Sequence, residues 1–503
     1  MCSSAGGMVK QTQTWLISAV LLALFLGALD ALIMSAAMPT IIAELSGLHL
    51  YAWVYSAYFL SRAVALPIFG KLSDLFAVRK LFIISVTLFI LASLAAGAAP
   101  SMGFLVAARV FQGMGSGGIF ALVYVVLTEA APRDQRAKTL SLASSIWGIS
   151  SVIGPTLGGF IVSFFSWRWI FFINLPLGLL SLAGIFFFLR EFREKKTDVS
   201  LDWPGLVSLT GFLLSVLILV MTTGRTIAWI SLPAFFLFLA AVVFGAWFVR
   251  SELGAKDPIL DLRFFRRRGF AVGNLAGFCA SFSMFALFGY APLFLQGALG
   301  QTPLQVGMAM LSLSLGWSMG SLLLGRGIMH RTTQKTAALA GGILLAAGTG
   351  MTLGFSTATT MVHSFLVFQV VGFGMGFVTL STLLIVQDSL GDQDLGVATS
   401  SHQFARTLGG TLGVGVCGGL VTSRLLNRLE AVDVSMPKVL MIQLKESMEN
   451  LFRPEFQAQI PEAARAVLKT AVAQGVWSTF VLVFVVALVC LALTLCLPGQ
   501  EEG

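Results

Sequence analysis

Fourteen apolar stretches, each about the length that crosses a bilayer as a helix, occupy most of this 503-residue chain. A hydrocarbon core of about 30 Å requires about 20 consecutive apolar residues in a helix. The chain is 57% hydrophobic and only 11% charged, a balance that would cause a soluble protein of this length to aggregate. The sequence therefore predicts an all-helical protein that crosses the membrane many times.

Mostly short loops separate the predicted spans. The spans cover residues 14–38, 53–70, 81–99, 103–128, 141–161, 168–189, 205–223, 228–249, 270–295, 304–325, 336–354, 361–386, 402–422 and 473–497. The first span is too long for the apolar core of a signal peptide, so we expect it to be the first membrane helix.

The loops between the predicted spans lie alternately on the two sides of the membrane. Positive charge is concentrated in the loops of one side. Those loops hold twenty Lys and Arg residues, whereas the short loops of the other side hold two, Arg168 and Arg225. Because positively charged loops stay in the cytoplasm, the asymmetry predicts a cell-membrane protein with both termini cytoplasmic. It also explains the formal net charge of +9 by topology and contact with anionic lipid, without nucleic-acid binding.

Two longer gaps divide the chain. We predict an N-terminal six-helix bundle over 1–190, a linker with an inserted helix pair over 191–262, and a C-terminal six-helix bundle over 263–503 with an outer loop at about 423–472. The segment GRGIMHRTTQK (325–335) takes the same place in the second half as GKLSDLFAVRK (70–80) takes in the first. Internal duplication of this kind is typical of secondary transporters.

Six motifs in chain order resemble those of one transporter family. They are ALDALIMSAAMPTI (28–41), GKLSDLFAVRK (70–80), LVAARVFQGMGSGG (105–118), GISSVIGPTLGG (148–159), SWRWIFFINLPLG (166–178) and SSHQFARTLGGTLGV (400–414). Together they resemble the fourteen-helix drug–proton antiporters of the major facilitator superfamily, the EmrB/QacA type. The resemblance implies an all-α integral membrane fold, the major facilitator fold with 14 transmembrane helices, in which two six-helix bundles are joined by an inserted helix pair.

The loop after span two resembles the family's cytoplasmic latch. Gly70 permits close helix approach, and Asp74 and Arg79 carry opposite charges across the turn. Lys80 completes the basic pair, and the resemblance adds Glu129 at the inner end of span four. The alternative is a set of surface ion pairs, each worth under about 1 kcal/mol.

In span five, Gly154, Pro155, Gly158 and Gly159 match a motif that the family associates with antiporters. Small residues let helices approach closely, and a proline bends the helix that contains it. Because small residues at this spacing are common in membrane helices, the motif taken alone is a weak signal.

Asp30 is the only carboxylate that the predicted spans place well inside the membrane. Charge at that depth is costly and marks a functional site, and burial disfavours the charged form of a carboxylate. The resemblance implies an acid that handles protons or cations at this position, and it links Arg109 in span four to proton coupling. We therefore expect Asp30 to pair with Arg109 and to carry a proton; a purely structural ion pair is the alternative.

Arg62 in span two is unusual because the family usually has a small or apolar residue there. Arginine stays charged in proteins, so three arrangements are open. The side chain pairs with Asp30, extends to the inner surface, or faces a hydrated cavity, where it favours anionic or zwitterionic cargo.

Arg406, at the start of span thirteen, follows a phenylalanine as in the family pattern. We expect it near the acidic loop that holds Asp388, Asp392 and Asp394, as a gate or an anchor. His402, just before it, departs from the pattern, and we expect a solvated interfacial side chain there. Besides Arg62, the candidates for polar cavity-lining residues are Tyr55, Tyr58, Gln112, Asn274, Tyr290, Gln296 and Gln369.

The sequence thus predicts a secondary transporter and not an enzyme. We expect a proton-coupled antiporter that exports lipophilic or amphipathic small molecules by alternating access, with the proton as coupling ion, no cofactor and no metal. A monomer is expected, with an accessory protein left open. The alternatives are an exporter of an amphipathic anion, lipid or peptide, and a receptor or assembly factor that reuses the fold and docks partners on the outer loop.

Overall fold

The computed structural model describes residues 2–45, 50–131, 135–190, 202–222, 231–255, 258, 261–301, 303–328, 330–391, 394–432 and 462–499. These residues form helices and connecting turns, with no β-strand among them. The predicted linker at 191–201 and residues 433–461 of the predicted outer loop lie outside the described residues.

The first half of the chain forms seven helices. They are α1 (Cys2–Leu45), α2 (Tyr51–Leu75), α3 (Val78–Gly97), α4 (Met102–Glu129), α5 (Arg136–Phe164), the short α6 (Trp169–Phe172) and α7 (Asn174–Phe188). The last two together occupy predicted span six. Pro67 lies inside α2, and membrane helices tolerate an internal proline.

Two helices follow, α8 (Trp203–Thr222) and α9 (Leu232–Gly254). The second half then contains α10 (Arg268–Leu293), α11 (Pro303–Leu323), α12 (Gln334–Met351), α13 (Met361–Leu390), α14 (Leu395–Val432) and α15 (Glu462–Leu495). Single π-helical turns at Phe294–Ala298 and Leu324–Ile328 extend α10 and α11.

Every predicted span overlaps one of these helices, and span six overlaps α6 and α7 together. Within the described residues, twelve helical stretches are long and apolar enough to cross a membrane. The helices α2 and α5 are not among the twelve, and both contain positions whose side chains lie outside the described residues. The result is an all-helical fold with at least this many membrane-compatible helices.

The two halves repeat the same packing. In the first half, α1 packs against α5 and α7, while α4 packs against α2 and α3. In the second half, α10 packs against α14 and α15, while α13 packs against α11 and α12. Each helix of the first bundle therefore has a counterpart with equivalent neighbours in the second, as an internal duplication requires.

Glycines bring the backbones of the paired helices into contact. A Cβ atom on Gly113 of α4 would lie 2.3 Å from the carbonyl oxygen of Tyr58 in α2. Its counterpart Gly372 in α13 would place a Cβ atom 2.2 Å from the carbonyl oxygen of Leu313 in α11. Membrane helices that lack side chains at the interface pack this closely, so the glycine-rich stretches set the helix spacing within each half.

The halves meet along a seam where α2 packs against α14 and α5 packs against α11. Trp147 of α5 stacks on Trp317 of α11 with ring centroids 5.9 Å apart. The helices α8 and α9 pack on each other, and α8 also contacts α2 and α14. The inserted pair therefore lies beside the seam and not between the bundles, and the exposed apolar side chains of α9 suit contact with lipid.

We expect Gly372→Ala to destabilise the protein, because a methyl group cannot fit against the Leu313 carbonyl without a backbone shift, and overpacking of this kind costs about 1–3 kcal/mol. Thermal unfolding in detergent measures the effect as a lower melting temperature.

The control is Gly103→Ala in the first turn of α4, where an added Cβ atom meets nothing within 4 Å. Alanine favours a helix over glycine, so this variant is expected to be neutral or slightly stabilised. Equal melting temperatures for the two variants would contradict the packing described here.

Candidate functional site

The carboxylate of Asp30 lies fully buried inside the first bundle and forms an ion pair with Arg109. Nη1 of Arg109 in α4 lies 2.5 Å from Oδ2 of Asp30 in α1. Both side chains are fully buried. The structure thus brings together the two residues that the sequence singled out for proton coupling.

Three further polar side chains complete this cluster. Nε2 of Gln112 donates to Oδ1 of Asp30 at 2.8 Å, and Nδ2 of Asn174 donates to the same oxygen at 3.0 Å. Both amides also donate to Oγ of Ser93, at 2.7 and 3.3 Å. Because three other helices contribute donors or a shared acceptor, the carboxylate of Asp30 is satisfied on both oxygens, which is the condition for tolerating a buried charge.

Tyr58 of α2 forms one wall of the cluster. Its ring lies 4.0 Å from Cζ of Arg109, a cation–π contact. Its hydroxyl donates to the carbonyl oxygen of Gly27 at 3.1 Å and lies 2.8 Å from Oγ of Ser116. Tyr58 therefore ties α2 to both α1 and α4 and belongs to the Asp30 cluster; the sequence placed it in a cavity wall.

Arg62 is one turn further along α2 and is only 5% exposed. Its Cζ lies 3.6 Å from the ring centroid of Phe120 and 5.6 Å from that of Trp147. Asp30, one of the partners considered from the sequence, is instead bonded to Arg109. The burial of Arg62 also excludes extension to the inner surface, so two of the three arrangements considered above do not occur in this structure.

Arg406 does not lie beside the acidic loop, which corrects the sequence-based expectation. Its Nε lies 3.4 Å from Oγ of Ser281, and its Nη1 donates to Oε1 of Gln403 at 3.2 Å. Its Cζ is 5.4 Å from the Trp317 ring. Arg406 lies eleven residues into α14, about 16 Å along the axis. This length of helix separates it from the loop that precedes α14.

His402 is also buried, whereas the sequence suggested a solvated residue. Its Nε2 lies 2.9 Å from Oγ1 of Thr382 in α13, and a Cβ atom on Gly277 of α10 would lie 2.8 Å from it. The helix α14 begins at Leu395 and not near residue 402, so the histidine is two turns deeper than the predicted boundary implied.

The predicted latch is only partly described. Nη2 of Arg79 donates to the carbonyl oxygen of Phe186 at 2.5 Å, and its Cζ lies 4.9 Å from the Phe186 ring. The side chain of Asp74 lies outside the described residues. Gly70 is buried, Lys80 is exposed and Glu129 is half-buried at the end of α4, so the latch stays a prediction.

The antiporter motif lies where α5 crosses α1. A Cβ atom on Gly154 would lie 3.0 Å from Cβ of Leu32, and Gly158 is buried. Pro155 and Gly159 are among the positions whose side-chain surroundings are not described. Close packing of the two helices at Gly154 agrees with a role for small residues there.

The remaining cavity candidates are scattered. Nδ2 of Asn274 donates to the carbonyl oxygen of Phe270 one turn earlier in α10. The hydroxyl of Tyr290 donates to the carbonyl oxygen of Val414 at 2.8 Å. Gln369 is half-buried in α13. The side chains of Tyr55 and Gln296 lie outside the described part of the chain, and a cavity role for these residues stays a prediction.

A contact between the halves at the predicted cytoplasmic ends was not anticipated. Nε2 of Gln387 in α13 donates to Oγ1 of Thr128 in α4 at 3.0 Å and to Oγ1 of Thr399 in α14 at 2.8 Å. All three side chains are buried. We call this contact the inner bridge. No sequence motif marked it, because the partners lie 259 positions apart.

Asn174 and Ser93 were also missed as members of the Asp30 cluster. The motif that contains Asn174 was recognised, but neither neutral side chain stands out from sequence alone. Among the described residues, no group of three or more His, Cys, Asp or Glu side chains is placed to hold a metal ion.

Comparison with solved structures supports the fold. The human organic anion transporter MFSD10 (TETRAN) superposes with a TM-score of 0.59 at 16% sequence identity, covering 94% of this chain and 99% of that protein. At this identity the likeness concerns the arrangement of helices alone.

Sequence comparison identifies relatives of similar length. The chain is 32% identical over 495 residues to the multidrug transporter protein MdtP of Bacillus subtilis, covering 94% of this chain and 90% of that protein. It is 27% identical over 500 residues to multidrug resistance protein 3 of the same organism, covering 98% and 96%. It is 30% identical over 417 residues to the efflux pump dotC of Dothistroma septosporum, covering 82% and 72%.

The family model of the Major Facilitator Superfamily matches residues 20–414. That range runs from the first half of α1 into α14 and includes the Asp30 cluster, the seam and both buried arginines beside it. The chain belongs to the Major Facilitator Superfamily, a family of membrane transporters and not of enzymes.

Proposed function

We propose that this protein is a proton-coupled antiporter that exports lipophilic or amphipathic small molecules. Relatives over nearly the whole chain are named as a multidrug transporter and a multidrug resistance protein. The observation that carries the coupling proposal is the ion pair between Asp30 and Arg109, fully buried and completed by Gln112 and Asn174. Buried ionisable groups inside membrane bundles mark proton relays.

The proposed coupling follows from the charge balance of the cluster. In the arrangement described here, two oxygens of ionised Asp30 accept three hydrogen bonds. A proton from outside that neutralises Asp30 removes the attraction for Arg109 and disfavours this arrangement. Because Tyr58 contacts Arg109 and also binds α1 and α4, the change alters the packing of three helices at once.

Alternating access would then proceed by rocking of the two bundles along the seam. The equivalent packing of the halves supports this mechanism, since symmetric repeats that move against one another are how such transporters expose a central site to each side. The inner bridge at Gln387 would close the cytoplasmic side, and breaking it would accompany inward opening.

We further propose fourteen membrane spans of the EmrB/QacA type, with both termini cytoplasmic. The helices α2 and α5 are central members of the first bundle, and α8 and α9 carry apolar surfaces that suit lipid. A count of fourteen keeps the basic loops on one side, as the charge rule requires.

We expect Asp30→Asn to abolish pH-driven export while the protein still folds and inserts, because asparagine retains the shape and one acceptor but cannot exchange a proton. The measurement is efflux of a lipophilic dye from liposomes with an imposed proton gradient, with thermal unfolding as the folding check.

The matched control is Asp388→Asn, since Asp388 is exposed and accepts from Nε2 of Gln334 at 2.8 Å. It is expected to retain gradient-driven efflux. If Asp30→Asn transported with the full pH dependence of the wild type, proton coupling at Asp30 would be wrong.

We expect Gln387→Ala to shift the protein towards the inward-open arrangement, because a neutral hydrogen bond contributes about 1 kcal/mol, which corresponds to a population shift of about fivefold. Distances between spin labels at Ala131 and Leu390, on a background without native cysteines, report the separation of the inner ends.

Gln334→Ala is the matched control, because its amide bonds to Asp388 within the second half. That variant should leave the distance distribution unchanged. A distribution for Gln387→Ala that equals the wild type would remove the inner bridge as a gate.

The span count is tested by single cysteines at Thr197 and Thr226 on the same background. With fourteen spans, an impermeant maleimide added to intact cells labels Thr226→Cys and not Thr197→Cys. Ser166→Cys and Phe76→Cys serve as outer and inner references. Labelling of both or of neither test position would show that α8 does not cross the membrane.

A further inference from the structure

Two buried arginines, one from each half, lie at the seam. Arg62 belongs to α2 and Arg406 to α14, and these helices pack against each other along the seam. The side chains are 5% and 9% exposed, and their Cζ atoms lie 5.6 Å and 5.4 Å from the centroids of Trp147 and Trp317, which stack on each other. Tyr124 of α4 lies within interaction range of both.

Both arginines lie three turns inside their helices. Arg62 is eleven residues after the start of α2 at Tyr51 and thirteen before its end at Leu75, or about 16 and 20 Å at 1.5 Å per residue. Arg406 is about 16 Å from the start of α14. At this depth an arginine cannot reach either surface, and its charge must be compensated locally.

The described residues do not supply that compensation. Nε and Nη1 of Arg62 have no hydrogen-bond partner among them. Arg406 bonds to the neutral side chains of Ser281 and Gln403. No described carboxylate forms an ion pair with either arginine, since the one deep in the first bundle, Asp30, is bound by Arg109.

Aromatic rings surround the two guanidinium groups. Phe120 and Trp147 lie beside Arg62, and Trp317 lies beside Arg406. Trp147 also makes edge contacts with Phe120, at 5.6 Å between centroids, and with Phe285 of α10, at 6.3 Å. Cation–π contacts stabilise arginine modestly but leave its net charge, so the site combines two positive charges with a flat apolar wall.

We propose that Arg62 and Arg406 together bind the anionic group of an amphipathic cargo, whose aromatic or aliphatic body packs against Trp147 and Trp317. A carboxylate, sulfonate or phosphate group accepts charge-assisted hydrogen bonds from arginine in a planar geometry. It supplies partners for the free donors of Arg62 and balances the positive charge of the guanidinium groups. A lipophilic cation in the same place adds a third positive charge.

This inference rests on the proposed export function and assigns the class of its substrate. Because one arginine comes from each half, an anion at this site bonds to both bundles. Its binding and release therefore change the contact between the halves at the seam. The site is separate from the Asp30 cluster, although Tyr58 lies within interaction range of Arg62 as well as in contact with Arg109.

The test is equilibrium binding of radiolabelled naphthoate to the full chain in nanodiscs of neutral phosphatidylcholine, at one pH and without a gradient. Naphthamide and naphthylmethylammonium are matched neutral and cationic probes. We expect naphthoate to bind about tenfold more tightly than naphthamide, with the cation weakest, since a hydrogen bond to a charged group is worth about that factor.

Arg62→Gln and Arg406→Gln are each expected to weaken naphthoate binding about tenfold and to leave naphthamide binding nearly unchanged. Arg62→Lys keeps the charge and is expected to retain part of the preference. Arg266→Gln, on the exposed turn Leu262–Arg266 before α10, controls for the overall loss of one positive charge.

Equal affinities for the three probes, or a preference that survives both Gln variants, would overturn the proposal. If added phosphatidylglycerol displaces naphthoate, the site binds a lipid headgroup as well as a small anion, and the cargo class includes anionic lipids. Because binding is measured without a gradient, its failure is distinct from failure of the antiport proposal, which the Asp30→Asn efflux experiment tests. Monodisperse elution and thermal unfolding confirm that each variant is folded.

Discussion

The organisation of this molecule depends on how an apolar interior tolerates charge. An isolated charge in hydrocarbon is so unfavourable that each buried ionisable group must be satisfied by neighbours. Both oxygens of Asp30 are satisfied within the first bundle, where Arg109, Gln112 and Asn174 donate to one carboxylate. The helices that carry these side chains are thereby fixed relative to one another in the charged state.

The seam presents the opposite situation. Arg62 and Arg406 carry two positive charges that the described protein atoms do not balance, surrounded by aromatic rings. The charge of Arg109 is therefore balanced by a carboxylate within the protein, whereas we propose that an anionic cargo balances the charges of Arg62 and Arg406. A transporter that exchanges a proton for a cargo needs both kinds of site, and Tyr58 lies between them.

Local sequence patterns predicted much of the fold and less of the site. Span positions followed from apolar length alone, and Asp30 was conspicuous as a carboxylate inside an apolar stretch. Asn174 and Ser93 were not conspicuous, because neutral polar residues are common in membrane helices and only the packing shows which ones converge. The inner bridge between Gln387 and Thr128 was unpredictable for the same reason. Arg406 and His402 were placed too near the surface because α14 begins at Leu395, seven residues before the predicted start of span thirteen at residue 402.

The glycine contacts have a mechanical consequence. Within each half, Gly113 and Gly372 bring helix backbones into direct contact, and such interfaces leave few side chains that can change rotamer to absorb a displacement. Across the seam, Trp147 and Trp317 meet through rings that can slide and restack. The glycine contacts within the bundles are therefore stiffer than the contact between Trp147 and Trp317, a difference that favours motion at the seam.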